Sequence, residues 1–459
     1  MKVAIIGTGN VGLVSGACFA SIGHRVTCVD LDPARVAAIE QARAPFFEPG
    51  LDALLDETAG RSLTATLDLS AAVAEAEVIL LAVGTPVGTD GHDLRQVRAA
   101  TRQVGEALAT RDDYPLVMVK STVLPGTTDG VVVPILEDAS GRRAGVDFGV
   151  AMNPEFLREG QAVEDFLHPD RLVFGGRDAR CWKVQERLYE ALDCPDIVHT
   201  DNATAEMIKM ASNSLLATLI SFSNEMANLA ATLPGVDVVE VLRGVHLDKR
   251  LSPILSEPVA AGERLRPGIL SYLMPGCGFG GSCLPKDTRS LAAFGEGRDR
   301  SMAMLRATIA INDAQPGRVV ELIERHLPSL DGVEVAVLGL SFKPGTSDIR
   351  RTPALPVIAS LRERGARLRL YDPEALDEVR AHLGEADEVV YTGDLDAAIE
   401  DAAVLVVLTG WPEIVALPER LKACADPPLV IDGRRLYEPG SLARYDAIGL
   451  GPSGPGVGG

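Results

Sequence analysis

The chain has 459 residues, of which 46% are hydrophobic and 24% charged, a balance typical of a soluble globular protein with two or three domains. Its formal net charge of -20 repels phosphate backbones and anionic lipid, so we expect neither nucleic acid nor a membrane as a main partner. The seven cysteines contain no CxxC pair, which fits neither a disulfide framework nor a zinc ribbon. We therefore expect a reducing, cytoplasmic compartment and no metal.

The N-terminal part of the chain predicts a βαβ unit. A strand is expected from Lys2 to Ile6, a helix from Leu13 to Ile22 and a second strand from Arg25 to Val29, because runs of β-formers flank an apolar helical stretch that ends at a glycine. Unbroken apolar runs are typical of buried parallel strands. They predict further strands at Val78 to Val83, Leu116 to Val119 and Val146 to Ala151.

The rest of the chain predicts a helical middle and a second α/β domain. Apolar residues recur every three or four positions over 203–233, which indicates one long helix that joins two domains or packs against a symmetry mate. After residue 330 the alternation of strands and helices returns as a weak echo of the N-terminal half. The predicted strands are 333–338, 367–370, 404–408 and 429–431.

We predict an α/β fold in which two Rossmann-like, doubly wound domains flank a central helical domain with one long connecting helix. The expected parts are an N-terminal doubly wound domain (1–200), a central helical linker domain (201–325), a C-terminal doubly wound domain (326–450) and a flexible tail (451–459).

The turn GTGNVG lies between the first predicted strand and helix, and Asp30 follows its last glycine by 18 positions. Glycines in such a turn let a pyrophosphate approach the helix N-terminus, and the carboxylate can bind a ribose 2′-hydroxyl. The acid would repel a 2′-phosphate, so the pattern favours NAD over NADP. The alternative is an α/β turn that binds nothing.

The stretch NPEFLREG at 153–160 predicts a helix start, with Asn153 as the cap and Pro154 as the first helical residue. This arrangement would place Glu155 and Glu159 one turn apart, where two carboxylates can divide acid and base roles. The alternative is a solvated surface pair.

On the long helix, Lys209 and Asn213 are four residues apart and interrupt an apolar surface. A lysine among Met and Leu can stabilise an alkoxide, or it can pair with Glu206.

The later turn GLSFKPGTSDIR at 339–350 lacks GxGxxG and places Lys343 and Arg350 at the end of a strand. Two cations at this position suit a phosphate ligand, and the alternative is that they are solvated surface charges.

The stretch GCGFGGSCLPKD at 276–287 combines four glycines with two cysteines, a lysine and an aspartate. A zinc site would need two further ligands, and a packing role is the plainest interpretation of the thiols. The third interpretation makes Cys283 a nucleophile, with Lys286 and Asp287 beside it. A nucleophilic thiol together with nicotinamide oxidises an aldehyde to an acid, and the glycines would let the substrate lie against the backbone.

These motifs together resemble the UDP-glucose/GDP-mannose dehydrogenase family over nearly the whole chain, from GTGNVGLVSG, VGTP, KSTVLPGT, NPEFLREG and HPDR to AEMIKMASN, GFGGSCLPKD, FKPGTSDIR and DGR. The resemblance implies a four-electron oxidation at C6 of a nucleotide sugar, with two NAD used in succession. UDP-glucose is the expected substrate, and GDP-mannose or a UDP-N-acetylhexosamine is the alternative. The resemblance implies that 1–200 binds NAD, that 326–450 binds the nucleotide sugar, and that 201–325 carries the cysteine loop and the dimerisation surface. In the family the long helix forms a dimer core, so a homodimer or higher homo-oligomer is expected.

The resemblance also implies residue roles. Cys283 is the expected thiohemiacetal nucleophile, Lys209 and Asp287 stabilise the oxyanion and position water, and Glu159 with Thr122 assists base and water chemistry. The expected catalytic set is Cys283, Lys209, Asp287, Glu159, Thr122 and Asn213. The expected NAD contacts are Gly7, Gly9, Asn10, Val11, Gly12, Asp30, Arg35, Thr85, Thr122, Glu159, Lys286 and Arg350. The expected nucleotide-sugar contacts are Glu155, Phe156, Leu157, Lys209, Asn213, Tyr272, Leu273, Gly276, Phe279, Gly280, Cys283, Phe342, Lys343 and Arg434.

The chain departs from the family's usual residues at Ser347, Arg351 and Gly410. It is also longer than usual between residues 250 and 266, a region that in the family often supplies an arginine from the neighbouring subunit to the substrate. Arg264 and Arg266 are the two candidates for that contact.

Overall fold

The computed structural model describes residues 1–88, 91–251, 267–422, 424 and 426–452. The chain divides into two compact units, Met1–Ser212 with Ala293–Arg300, and Asn213–Ala292 with Ser301–Gly459. Among the described residues, no helix combines the length and the apolar character needed to cross a membrane.

The described residues of the first unit form ten strands. They are β1 (Lys2–Ile6), β2 (Arg25–Val29), β3 (Leu63–Thr66), β4 (Val78–Leu81), β5 (Val87–Gly88), β6 (Gly91–His92), β7 (Leu116–Val119), β8 (Gly149–Met152), β9 (Leu172–Gly175) and β10 (Ile197–Thr200). Six of them form a sheet in the order β3-β2-β1-β4-β7-β8, and every pairing in it is parallel. This is the strand order of a dinucleotide-binding doubly wound fold.

Helices connect these strands and cover both faces of the sheet. They are α1 (Asn10–Ser21), α2 (Pro33–Glu40), α3 (Leu51–Thr58), α4 (Leu69–Glu75), α5 (Arg95–Leu108), α6 (Val133–Ser140), α7 (Ala162–Leu167) and α8 (Ala179–Tyr189). Ile5 of β1 belongs to the same buried cluster as Leu13 of α1, and Ile6 belongs to a second cluster with Val104 of α5. Because successive side chains point to opposite faces, burial on both faces produces the unbroken apolar runs of these strands.

The helix α9 (Asn202–Ala230) carries residues of both units. The second unit continues with α10 (Val238–His246), α11 (Leu284–Glu296), α12 (Ala303–Glu324), α13 (Ala354–Glu363), α14 (Leu376–Leu383), α15 (Leu395–Ile399), α16 (Pro412–Val415) and α17 (Leu417–Leu421). Its strands are β11 (Glu334–Leu338), β12 (Arg367–Tyr371), β13 (Val389–Tyr391), β14 (Val404–Val407), β15 (Leu429–Asp432) and β16 (Tyr445–Ala447). They form a parallel sheet in the order β13-β12-β11-β14-β15-β16, which repeats the topology of the first sheet.

The predicted α/β class with two doubly wound sheets and a helical middle is confirmed. The strand predicted at Val146 to Ala151 begins later, at Gly149, because Val146 is 66% exposed and its N–H bonds back to Arg143 in a turn. In the predicted tail, Gly451 donates to the Val236 carbonyl and Pro452 accepts from the Gly235 N–H, while residues 453–459 lie outside the described part of the chain.

Candidate active site

The glycine turn of the first unit has the shape that a dinucleotide requires. Gly7 adopts a φ of +98° and donates its N–H to the Val29 carbonyl at 2.8 Å. A Cβ at Gly12 would lie 1.9 Å from the Gly7 carbonyl oxygen, so α1 packs this close to the turn only with glycine there. Apart from its chain neighbours, no atom of the described residues lies within 4 Å of a Cβ placed on Gly9. The turn is therefore tight on its inner side and open at the helix N-terminus, which suits a pyrophosphate.

Asp30 directly follows β2, and its carboxylate binds this turn. Its Oδ2 accepts hydrogen bonds from the Thr8 N–H at 2.8 Å and the Thr8 hydroxyl at 2.5 Å. Burial raises the pKa of the Asp30 carboxyl, but the bonds from Thr8 and Asp32 and the charge of Arg35 outweigh burial, so the pKa lies below its ordinary value. The Arg35 guanidinium donates to the Thr8 carbonyl at 3.2 Å. An ionised acid at this point fits a ribose 2′-hydroxyl.

Two contacts connect predicted cofactor and catalytic residues within the first unit. The Asn10 amide donates to Glu159 Oε1 at 3.0 Å, and the Thr85 hydroxyl donates to the Thr122 carbonyl at 2.8 Å. Thr85 is buried and Thr122 half-buried. Asn10 and Glu159, which are 149 positions apart in sequence, thus meet at the N-terminus of α1.

Glu155 and Lys209 form a buried ion pair. Lys209 Nζ lies 2.9 Å from Glu155 Oε1, and each side chain is 4% exposed. The other Glu155 oxygen accepts the N–H of Leu157 at 2.7 Å, and the Phe156 ring centroid lies 5.4 Å from Lys209 Nζ. A predicted substrate-binding carboxylate therefore sets the position of the predicted oxyanion-stabilising lysine.

The helix predicted to begin at Asn153 is wrong, because residues 153–158 are non-helical and α7 begins only at Ala162. The Asn153 side chain caps no helix. Its Oδ1 accepts from Lys120 Nζ at 2.8 Å and from the Tyr189 hydroxyl at 2.6 Å. Glu155 and Glu159 consequently do not share a helical face.

The sequence left open whether Lys209 pairs with Glu206. Lys209 forms its ion pair with Glu155, whereas the Glu206 carboxylate accepts from the N–H groups of Gly126 and Thr128.

Lys120 is a buried cation that the sequence reasoning did not single out. It follows β7 directly, is 4% exposed, and donates to Asn153 Oδ1 and to the Tyr189 hydroxyl. Burial lowers the pKa of Lys120 to about 7; the nearby Glu155 charge opposes this shift, and the Lys209 charge adds to it. The signal in the sequence is a lysine placed immediately after four buried apolar residues.

In the second unit, Cys283 lies at the N-terminus of α11. Its carbonyl accepts the Asp287 N–H at 2.8 Å, which closes the first helical turn, and its half-buried thiol lies 3.4 Å from the Ser282 hydroxyl. The partial positive charge at a helix N-terminus favours a thiolate. The second thiol of the loop, Cys277, is fully buried and burial raises its pKa, which is the pattern of a packing cysteine.

The Asp287 carboxylate organises the groups around this helix start. Its Oδ1 lies 2.7 Å from Lys286 Nζ, and its Oδ2 accepts from the Asn213 amide at 2.6 Å. Asp287 is fully buried. Three predicted site residues from α9 and α11 are thus brought together in one hydrogen-bonded group.

The glycines before Cys283 are crowded by the protein itself. A Cβ on Gly280 would lie 2.5 Å from the Arg351 carbonyl oxygen, and one on Gly281 would lie 2.9 Å from the Phe342 ring. The Gly281 N–H also donates to the Arg350 carbonyl at 2.8 Å. At these two positions the loop 342–351 occupies the space that a side chain would need, so the protein's own packing requires glycine there. That the substrate also lies against this backbone stays a prediction.

Arg434 and Phe342 connect that loop to the cysteine loop. The Arg434 guanidinium donates to the carbonyls of Leu408, Gly278 and Phe342 at 2.6, 3.1 and 3.1 Å. These bonds use three of its five N–H groups.

The remaining predicted site residues of this unit have separate surroundings. Lys343 Nζ lies 5.8 Å from the Phe342 ring centroid. Arg350 donates two hydrogen bonds to the Asp348 carboxylate. Tyr272 is the last residue of a short 3-10 helix, and Leu273 after it is buried.

Asp372 shows why the second sheet lacks a dinucleotide site of the first kind. It follows β12 as Asp30 follows β2, but its Oδ2 accepts from the N–H groups of Leu340 and Ser341 and from the Trp411 indole. Its Oδ1 accepts from two further backbone N–H groups. The carboxylate is therefore saturated by the protein, which agrees with the absence of GxGxxG in this turn.

Two further expectations concern a metal site and the arginine that a neighbouring subunit would supply to the substrate. Among the described residues, no group of three or more His, Cys, Asp or Glu side chains is placed to hold a metal ion. Arg264 and Arg266 lie outside the described residues.

The doubly wound sheet, the glycine turn and Asp30 with its lowered pKa define a dinucleotide-binding protein. The sequence models of the UDP-glucose/GDP-mannose dehydrogenase family match three consecutive regions: the NAD binding domain at residues 1–193, the central domain at 203–314 and the UDP binding domain at 336–439. The chain belongs to this family, and it is an NAD-dependent enzyme that oxidises nucleotide sugars.

Two curated relatives and one solved structure are similar to this chain over most of its length. UDP-glucose 6-dehydrogenase AglM of Haloferax volcanii is 40% identical over 98% of this chain and 100% of its own. GDP-mannose 6-dehydrogenase of Pseudomonas putida is 38% identical over 89% and 90% of the two chains. The structure of a UDP-glucose dehydrogenase from Pyrobaculum islandicum, 38% identical, superposes with a TM-score of 0.87 over 97% of both chains.

Proposed function

We propose that the protein oxidises UDP-glucose at C6 to UDP-glucuronate in two NAD-dependent steps, with Cys283 as the covalent nucleophile. The observation that carries the proposal is Cys283 at the start of α11, one helical turn before Asp287, whose carboxylate binds Lys286 and Asn213. The unit that contains this thiol also contains the region matched by the UDP binding domain. The 40% identity to a UDP-glucose 6-dehydrogenase supports glucose as the sugar.

The first unit holds NAD through Gly7, Gly9 and Gly12 at the pyrophosphate and Asp30 at the ribose. Asn10, Val11, Arg35, Thr85, Thr122, Glu159, Lys286 and Arg350 complete the proposed NAD contacts. NAD, when bound, accepts one hydride in each of the two oxidations.

The first oxidation converts the C6 alcohol into an aldehyde with loss of one proton and one hydride. Lys209 stabilises the oxyanion that develops at O6, since a preorganised buried ammonium interacts strongly with a new negative charge. Glu155 holds that ammonium in place through their 2.9 Å contact. Glu159 and Thr122 assist the proton and water chemistry.

Cys283 carries the second oxidation. Its thiolate forms a C–S bond to the aldehyde carbon, and loss of a second hydride from this thiohemiacetal leaves a thioester. Water positioned by Asp287 and Asn213 attacks the thioester carbonyl, the C–S bond breaks, and the thiol is regenerated. One alcohol, two NAD⁺ and one water thus give one carboxylate, two NADH and three protons.

The nucleotide sugar is held by residues of the NPEFLREG stretch and of the cysteine, FKPG and DGR loops. The proposed contacts are Glu155, Phe156, Leu157, Lys209, Asn213, Tyr272, Leu273, Gly276, Phe279, Gly280, Phe342, Lys343 and Arg434. In this proposal Lys343 and the two remaining N–H groups of Arg434 meet the anionic diphosphate.

The sugar specificity is tested by steady-state kinetics on UDP-glucose, GDP-mannose and the UDP-N-acetylhexosamines, following NADH at 340 nm. We expect the highest kcat/KM for UDP-glucose and a uronic acid as the product. GDP-mannose is the second candidate, because the Pseudomonas putida relative named for that substrate is 38% identical. A higher kcat/KM for any other sugar would refute UDP-glucose as the substrate.

We also propose that the protein is a homodimer assembled through α9. Leu215, Phe222 and Leu229 recur at seven-residue spacing along this helix, and their exposed fractions are 56%, 44% and 57%. Side chains at this spacing lie on one side of a helix, so a second copy would cover one continuous apolar stripe.

A further inference from the structure

The backbone of the cysteine loop is held by side-chain carboxamides from two helices. Asn312 of α12 binds both polar groups of one residue: its Oδ1 accepts the Phe279 N–H at 2.8 Å, and its Nδ2 donates to the Phe279 carbonyl at 3.1 Å. These two bonds fix the orientation of the amide, because the flipped amide would place oxygen against oxygen and nitrogen against nitrogen.

A second carboxamide pair holds Gly276 in the same way. Asn224 of α9 accepts the Gly276 N–H at 2.8 Å, and Gln315 of α12 donates to the Gly276 carbonyl at 2.9 Å. Asn228 donates to Gln315 Oε1 at 3.0 Å and thereby orients that amide as well. Asn224 and Gln315 are fully buried.

The loop needs this support because residues 274–283 contain neither helix nor strand, while 275–281 are buried. Buried backbone N–H and C=O groups without a partner are costly, so side chains supply the bonds that a neighbouring strand would otherwise supply. Phe279 precedes Cys283 by only four residues. A shift of the Phe279 peptide groups therefore moves the thiol relative to α11.

We propose that Asn312 is a positioning residue that fixes the cysteine loop, with Gln315 and Asn224 holding its other end. The inference rests on the proposed function in that it takes Cys283 as the nucleophile. Asn312 touches no reacting atom in this scheme and acts only through the Phe279 peptide groups.

The substitution Asn312→Asp tests this role because it keeps the shape and the acceptor but replaces the donor with a carboxylate oxygen. At pH 8.5 that oxygen repels the Phe279 carbonyl, and we expect kcat with UDP-glucose to fall by about tenfold or more, since small misplacements of a reacting group have large effects. At pH 6 the introduced carboxyl, whose pKa is raised by its half-buried position and by the facing carbonyl, can donate again. The ratio of variant to wild-type kcat should therefore rise as pH falls, with KM for NAD unchanged.

A second readout needs no substrate. The alkylation rate of the Cys283 peptide by iodoacetamide, followed by mass spectrometry, should differ from wild type by about threefold or more at pH 8.5 and approach it at pH 6. If the wild-type enzyme fails to oxidise UDP-glucose, the proposed function is refuted while this readout still tests the positioning role.

The matched control is Asp313→Asn, the reverse isosteric exchange at the next position on α12, where the carboxylate is 54% exposed and pairs with Arg289. It should leave both readouts unchanged. Gln315→Glu provides a second test of the same kind at Gly276 if Asn312→Asp does not fold. Wild-type values in a folded variant at pH 8.5, or losses that are equal at both pH values, would overturn the proposal.

Discussion

Lys209 Nζ lies 2.9 Å from Glu155 Oε1, and both side chains are almost fully buried. If one partner is removed, water therefore cannot readily solvate the charge of the other. Removing one member of a buried ion pair typically costs about 3–5 kcal/mol. We expect Glu155→Gln to lower the free energy of unfolding in urea by about that amount and to reduce kcat, because the ammonium loses its fixed position.

The matched control for this pair is Glu164→Gln. Glu164 is 75% exposed and lies 3.9 Å from His168, and surface pairs of this kind contribute about 1 kcal/mol or less. Equal stability losses in Glu155→Gln and Glu164→Gln would contradict the buried ion pair.

Lys120 predicts a specific pH dependence of stability. Its folded-state pKa of about 7 lies below the ordinary value of 10.5, so between these values the unfolded chain binds more protons than the folded protein. Stability from this group therefore rises with pH across that window, by about 1.4 kcal/mol per pH unit at most, and is flat below pH 7. The free energy of unfolding in urea is measured from pH 6 to 9 for wild type and for Lys120→Met. The difference between the two proteins should rise with pH at this slope. Parallel curves would contradict a neutral Lys120 at alkaline pH.

Gly280→Ala distinguishes crowding by the protein from space reserved for a ligand. The new Cβ would meet the Arg351 carbonyl at 2.5 Å, so the backbone must shift, and we expect a lower melting temperature as well as a loss of kcat. The control is Gly244→Ala on α10, where no atom of the described residues outside its chain neighbours and its own helix backbone lies within 4 Å of the Cβ position. An unchanged melting temperature with only a higher KM for the sugar would favour the ligand interpretation instead.

The proposed dimer predicts that a charge in the α9 stripe separates the subunits. Phe222→Asp places a carboxylate at the centre of the stripe, and the desolvation of an unpaired charge opposes association. We expect light scattering to report a dimer for wild type and a monomer for Phe222→Asp. Leu67→Asp, at a 54% exposed leucine in the first unit, should remain dimeric. A monomeric wild-type protein would refute the proposal.

Local sequence patterns predicted the parts of this protein whose structure depends on neighbouring residues. The turn GTGNVG and the strand ending at Asp30 follow from glycine sterics and from an apolar run, and β1, β2 and β7 match their predicted bounds. Their order in the sheet repeats in the second unit because the same alternation of strands and helices recurs there.

Contacts between distant parts of the chain account for the misses. Asn153 looked like a helix cap because Pro154 follows it, but Lys120 and Tyr189 take its side chain from 33 and 36 positions away. The crowding of the glycine loop by the protein was not foreseen for the same reason, since Arg351 comes 71 positions after Gly280. No periodicity or spacing encodes such pairings.

The most direct test of the central claim is the number of NADH formed per UDP-glucose consumed, measured to completion with wild type, Cys283→Ala and the control Cys424→Ala at an exposed thiol. A thiol-dependent double oxidation predicts two NADH per UDP-glucose for wild type and Cys424→Ala, and a loss of turnover by more than about 100-fold for Cys283→Ala. One NADH per UDP-glucose, with wild-type rates in Cys283→Ala, would contradict it.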